Sequence, residues 1–155
     1  MRGKKAPKRE IAPDPKFART DIAKLINYVM ERGKKTVAQG IVYDAFVEIS
    51  DKTKRDPLEI FDIALRNVGP SMEVRGKRVG GANYQIPYPV RAERRFTLAC
   101  RWILEAARKK KGKRMATKLA DELIAASTEQ GDAFKKKMDV HKMAEANRAF
   151  AHFAR

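Results

Sequence analysis

The sequence predicts a mainly α-helical domain: six helices with a two-stranded β-hairpin arm protruding between the third and the fourth. Two patterns carry that expectation. Apolar residues recur at helical spacing in six separate stretches, each bounded by capping or breaking residues. One stretch, Ser71 to Arg95, breaks the pattern. There, two extended runs, 72–79 and 83–90, flank Gly80-Gly81-Ala82, and paired glycines between extended runs signal a hairpin because glycine takes positive φ without steric cost. The chain has 155 residues and a hydrophobic content of 43%, which suits one domain with a real core.

Each element has its own signals. Residues 1–19 are rich in Lys and Arg, carry prolines at 7, 13 and 15, and show no helical period. They read as an extended basic arm that orders on a partner, with residues 20–155 forming one helical domain. Thr20 is the expected cap of the first helix, whose stripe is Ile22, Leu25, Ile26, Val29 and Met30, and Gly33 ends it. The second helix places Val37, Ile41, Val42, Ala45, Phe46 and Ile49 inside. Asp56-Pro57-Leu58-Glu59 starts the third with a cap, a proline at the first helical position and an early acid. Leu58, Phe61, Leu65 and Val68 follow, and Gly69-Pro70 ends it.

In the arm, 72–90, Tyr84, Ile86, Tyr88 and Val90 share one face. Pro87 and Pro89 remove two N–H groups from one strand edge, so no third strand pairs there. Eight residues at about 3.3 Å each give an arm of roughly 26 Å. A lone hairpin is marginal in water, so it leans on the helices or on a partner. Its two tyrosines either pack on the helices or serve a nucleic-acid groove. The fourth helix holds Phe96, Ala99, Cys100, Ile103, Leu104 and Ala107. The fifth holds Met115, Ala116, Leu119, Ala120, Leu123 and Ile124. Gly131-Asp132 opens the sixth, with Phe134, Met138, Val140 or His141, Met143, Ala144 and Phe150 as possible core contacts.

The charge narrows the function. Lys and Arg number 35 against 19 Asp and Glu, a net +16, which a polyanion would neutralise. Nucleic acid is the first candidate and an anionic membrane surface the second. No apolar run approaches the length of a membrane span, and no apolar stretch follows the basic start as a secretory signal requires. A metal or catalytic site finds little support. His141 and His152 lie eleven apart with no cysteine nearby, unlike metal-ligand spacing. The single cysteine, Cys100, sits on an apolar face without an activating partner. Gly33-Lys34-Lys35-Thr36 lacks the rest of a phosphate loop, with Tyr28 where that motif needs Gly. No cofactor is implied.

The placement of cations says more than their number. Lys34-Lys35 precede the second helix, Lys113-Arg114 precede the fifth, and Lys135, Lys136 and Lys137 are read as the first turn of the sixth. The helix dipole disfavours cations there by about 0.3–1 kcal/mol each. Cations beside free N–H groups make a phosphate site instead. Arg75, Lys77 and Arg78 decorate the arm, and Arg91, Arg94 and Arg95 stand at its base. Charge spread over tail, loops and ribbon suits a large folded RNA read by shape and backbone. A DNA-binding regulator would carry a compact recognition helix and a symmetric dimer. An RNA-modifying enzyme would need a cofactor site or a general base.

Five runs then give a resemblance over nearly the whole length: DPKF at Asp14 to Phe17, GKK at Gly33 to Lys35, RVGGANYQIP at Arg78 to Pro87, RWILEAAR at Arg101 to Arg108, and MAEANRAFAHF at Met143 to Phe153. The chain resembles the bacterial small-subunit ribosomal protein S-seven family. The resemblance implies a helical bundle with a hairpin arm and a non-enzymatic protein of the cytoplasmic ribosome. It implies primary binding to the 3′ major domain of 16S rRNA and nucleation of the subunit head. It also implies a place near the decoding region and the tRNA exit site, beside exit-site tRNA and mRNA, with small-subunit proteins nine and eleven as neighbours. DNA is not an expected partner. On this chain, rRNA contacts are expected at Lys4, Lys5, Lys8, Arg9, Lys34, Lys35, Arg75, Arg78, Arg91, Arg94 and Arg95. The cluster Lys109, Lys110, Lys111, Lys113 and Arg114 joins them, as do Lys77 and Lys135 to Lys137 by position. Gly80, Gly81, Tyr84 and Arg148 are expected to face tRNA and mRNA.

Overall fold

The computed structural model describes residue 3 and residues 9–154. Its helices are α1 Thr20–Val29, α2 Lys35–Thr53, α3 Pro57–Val68, α4 Ala92–Lys109, α5 Met115–Ser127 and α6 Gly131–Ala146. Strands β1 Met72–Val79 and β2 Ala82–Pro89 lie between α3 and α4, and a 3₁₀ helix, Arg148–Ala154, follows α6. The expected fold class is what forms. α5 packs against α2, α3, α4 and α6 and is the central helix. Around it Phe46, Ile49, Phe61, Ile103, Leu119 and Leu123 are almost fully buried. Cys100 is buried in this core.

Local chemistry explains most boundaries. The Asp56 carboxylate accepts the Leu58 N–H at 3.0 Å, and Pro57 follows as the first helical residue of α3. Thr20 is not the cap of α1. Arg19 holds that position without a side-chain cap bond, since a guanidinium has no acceptor to offer, and its donors bridge Asp21 and Asp62. Gly80 and Gly81 have φ of 58° and 90°, the two positive values a two-residue type I′ turn requires. Val79 pairs with Ala82 across that turn, Arg75 with Ile86, and Met72 with Pro89. The Val90 N–H donates to the Ser71 carbonyl. By alternation, Pro87 and Pro89 fall at pairs that exchange no ladder bonds, so neither missing N–H is felt. The sheet has two strands and no third.

Three sequence expectations are corrected. Val37 is 57% exposed, because it lies in the first turn of α2, before the stretch that meets α5. Met138 and Met143 are exposed, and α6 buries only Ala133 and Ala144. Finally, α6 does not run on to Phe150. Asn147 ends it, its side-chain amide donating to the Met143 carbonyl at 2.8 Å in competition with the helix ladder. The chain then tightens into the 3₁₀ helix. At three residues per turn, Phe150 and Phe153 share a face. Their ring centres lie 5.1 and 5.5 Å from that of Tyr84. The hairpin therefore leans on α6 through β1 and on the 3₁₀ helix through β2.

Candidate nucleic-acid interface

The arm's base is built around one acid. Glu73 is the single carboxylate of the hairpin and is buried. Arg75 and Arg94 both donate to it, Arg94 at 3.2 Å. Burial pushes the Glu73 carboxyl up, but the two guanidiniums outweigh it and hold the pKa below the usual range. Glu73 thus fixes two cations that remain largely open to solvent, their side chains 58% and 43% exposed. The Arg75 guanidinium lies 5.4 Å from the centre of the Tyr88 ring, a cation–π contact across the strand pair. Arg75, Arg94 and Arg91 line a cleft of about 490 Å³ with Tyr88 and Pro89. Arg91 is also the N-cap of α4, without a side-chain cap bond. Three guanidiniums thus converge on one concavity beside the start of α4, whose first turn also holds Glu93, and the guanidinium cluster suits a phosphate.

A second cationic surface forms at one end of the bundle. Arg114 faces Asp44, Thr117 bonds Glu48, and Asp121 bonds Lys52. These contacts run in the same order along both chains, so α2 and α5 are parallel and their N-termini point the same way. Lys34 and Arg114 occupy the two N-cap positions, with no side-chain cap and no acid in either first turn. Beside them a cleft of about 430 Å³ is lined by apolar Val37, Ile41 and Met115, by Arg32 and Lys34, and by Arg108 paired with Glu31. Two positive helix ends and several cations face the same side.

The third expected helix start differs. Lys135 is the fifth residue of α6, so Lys135, Lys136 and Lys137 lie in its second turn, and the first turn holds Asp132. The α6 start is already satisfied: Glu122 Oε1 of α5 accepts the Ala133 N–H at 3.0 Å. Gly131 has φ of 88°, and a Cβ there would sit 2.8 Å from the same oxygen, so the glycine makes room for the cap. Lys110 Nζ approaches Glu122 Oε2 to 2.7 Å.

The other expected residues divide by environment. Arg9, Lys34, Lys35, Arg78, Arg91, Lys109, Lys111, Lys135 and Lys136 are exposed, without an ion pair among the described residues. Lys113 bonds Asp121 at 2.9 Å. Arg95, which stays exposed, and half-buried Lys137 both bond to carbonyls at the end of α3. Arg95 Nε donates to the Gly69 carbonyl at 3.1 Å, and Lys137 Nζ to the Asn67 carbonyl at 2.6 Å. Lys77 Nζ donates to the Phe153 carbonyl. Gly80, Gly81 and Arg148 are exposed, whereas Tyr84 is half-buried between the two phenylalanines. Lys4, Lys5 and Lys8 lie outside the described residues. Sequence reasoning missed Glu73 and Arg32. The signals were available: a lone acid in a basic ribbon, and a cation next to Gly33.

Among the described residues no group of three or more His, Cys, Asp or Glu could hold a metal ion. No described helix is long and apolar enough to cross a membrane. Burial pushes the Cys100 thiol up to about 12, which leaves it unreactive. The fold and its surfaces define a class: a helical scaffold that presents cations and helix N-termini to a polyanion.

Comparison with known proteins gives that class a family. The family model described as ribosomal protein S7p/S5e matches residues 1–148. A small ribosomal subunit protein uS7 from Thermotoga maritima is 60% identical over 153 residues, covering 99% of each chain. Proteins of the same name from Aromatoleum aromaticum and Methylibium petroleiphilum are each 55% identical over 152 residues, covering 98% of this chain and 97% of theirs. The chain belongs to the ribosomal protein S7p/S5e family. It is therefore a structural, non-enzymatic component of the small subunit of the cytoplasmic ribosome, with ribosomal RNA as its class of partner.

Proposed function

We propose that the protein is a primary binder of 16S rRNA that attaches to the 3′ major domain and nucleates assembly of the subunit head. The carrying observation is the cleft where Arg75, Arg91 and Arg94 converge at the start of α4, with two of the three held in place by buried Glu73. Such preorganised guanidiniums bind backbone phosphates without first paying the entropy of ordering long side chains. The cationic end formed by α2 and α5 supplies a separate set of phosphate contacts, as a folded RNA touching several loops would need. The basic stretch 1–19 extends the footprint. On this reading Gly80, Gly81 and Arg148 lie towards exit-site tRNA and mRNA near the decoding region, and small-subunit proteins nine and eleven are neighbours.

The test is a salt-series titration against a 3′ major-domain rRNA fragment, with excess tRNA and duplex DNA as competitors. Tight binding that survives both competitors, with log K falling linearly in log salt, is expected. Equal loss to every polyanion would reduce the protein to a non-specific cation and overturn the reading. Replacing Arg75, Lys77 and Arg78 with Ala should weaken binding and lower the slope. Unchanged affinity and slope would remove the arm from the interface.

A further inference from the structure

A cleft between α4 and α6 lacks the cationic excess of the chain as a whole. α4 and α6 each turn a stripe with i, i+4 spacing towards this cleft of about 300 Å³. α4 contributes Trp102, Glu105 and Lys109, and α6 contributes Asp132, Lys135, Lys136 and Asp139. Three carboxylates and three ammonium groups therefore share the cleft, for a local balance of zero in a chain of net +16.

None of the six forms an ion pair among the described residues. Several carboxylates elsewhere do: Asp21 and Asp62 pair with Arg19, Glu48 and Asp121 with Lys52, Glu59 with Arg55, and Glu31 with Arg108, whereas Asp51 and Glu129 stay unpaired among the described residues. Asp132 has a local reason to be where it is, since an acid is favourable in the first turn of a helix. Glu105 and Asp139 lie away from helix starts, each at i, i+4 spacing from a lysine, Lys109 and Lys135, without closing an ion pair onto it.

A phosphate backbone brought to this cleft would meet carboxylates within one helical turn of every lysine, and like charges would cancel much of the attraction. A polypeptide carrying both signs would not. We propose that the α4–α6 cleft is a protein-docking surface. Its partner is a mixed-charge segment of another protein of the subunit, with basic residues opposite Glu105, Asp132 and Asp139 and acidic residues opposite the three lysines. Trp102, buried at the floor but 9% exposed, offers a flat apolar seat for one side chain at the centre. Lys109, Lys135 and Lys136 thereby leave the set of rRNA contacts. The proposal rests on membership of the small subunit and is independent of which rRNA domain the arm binds.

The test uses small subunits assembled with the full chain carrying Lys136→Cys labelled with a photoreactive benzophenone. Cys100 is buried and does not label. A second preparation carries the probe at Arg91→Cys, facing the arm's cleft. The probe at 136 is expected to cross-link a protein, and the probe at 91 to cross-link rRNA. A cross-link from 136 to rRNA, or to nothing, overturns the docking surface. Failure of the 91 probe to reach rRNA would count against the arm's role alone. As a second readout, the triple variant Lys109→Ala, Lys135→Ala, Lys136→Ala should keep the salt slope of rRNA binding. A slope smaller by about two to three would mean that the lysines contact phosphates and would also overturn the proposal.

Discussion

Glu122 has no exposed surface, yet its carboxyl group serves two parts of the chain beyond its own helix. It caps α6 through the Ala133 N–H, and it meets Lys110 just past the end of α4. Removing it would leave the Ala133 N–H unmet and Lys110 without its ion-pair partner. Glu122→Ala should therefore cost about 2–4 kcal/mol in urea unfolding. A loss below about 0.5 kcal/mol would show that water replaces the carboxylate freely. Gly131→Ala tests the same contact from the other side: positive φ plus the 2.8 Å approach to Glu122 should cost about 1–3 kcal/mol. His141 gives a pH test. Its Nε2 accepts the Ser71 N–H at 3.1 Å, so the neutral ring is the bonded form. Burial, followed by the Lys137 and Arg95 charges, lowers its pKa. A histidine whose folded pKa is lowered contributes stability that is complete above its ordinary value of about 6.5 and lost as pH falls below it. The melting temperature should thus fall between pH 7.5 and 5.5 in the native protein. It should fall less in His141→Gln, which removes the titration. Parallel curves would exclude His141 as the cause.

At the scale of elements, the hairpin's orientation depends on residues far from it in sequence. Tyr84 is held by Phe150 and Phe153, and Lys77 reaches the Phe153 carbonyl. An isolated hairpin is marginal, so these contacts help to set the arm's direction. Replacing Phe150 and Phe153 together with Ala should speed amide exchange at 82–86 while the exchange of α5 stays unchanged. Equal protection in both proteins would show that β1 and α6 suffice. The hairpin itself was legible in the sequence because glycine pairs and proline spacing act locally, although β2 begins one residue earlier than expected, at Ala82 paired with Val79. The six helices were legible from apolar period and from Asp56-Pro57. The break at Asn147 was not, since Met143, Ala144 and Phe150 continue a plausible helical stripe. The Asn147 side-chain bond to Met143 and the contacts of Phe150 and Phe153 with Tyr84 together explain why the chain tightens there. The site was legible as a set of cations but not as an arrangement. Which cations are held by acids, as Arg94 is by Glu73, depends on neighbours that sequence distance hides. For the same reason the sequence does not show that Lys137 and Arg95 spend donors on carbonyls at the end of α3.

Across the whole molecule, one quantity should act with opposite sign on the free and bound protein. A net charge of +16 repels itself in the folded state. The opposing ion pairs are mostly half-exposed, as with Arg55–Glu59 and Arg114–Asp44, and such pairs contribute about 0–1 kcal/mol each. Salt screens both, but the repulsion is summed over many more pairs of charges than the attraction. Moving from about 0.05 to 0.5 M salt shortens the Debye length to well below the width of the bundle, so long-range repulsion is lost first. The free protein should therefore melt at a higher temperature in high salt. The rRNA complex should do the reverse, because added salt removes the counterion-release term that drives it. Differential scanning calorimetry of both samples, using sodium chloride to avoid strongly excluded anions, checks the two signs together. If the free protein instead loses stability with salt, its ion pairs outweigh its self-repulsion, and the excess charge needs no polyanion to be tolerated. If it gains while the complex loses, the surplus of lysine and arginine is a strain in the free chain that the RNA relieves. The protein is then more stable on its RNA than off it, as an assembly component should be.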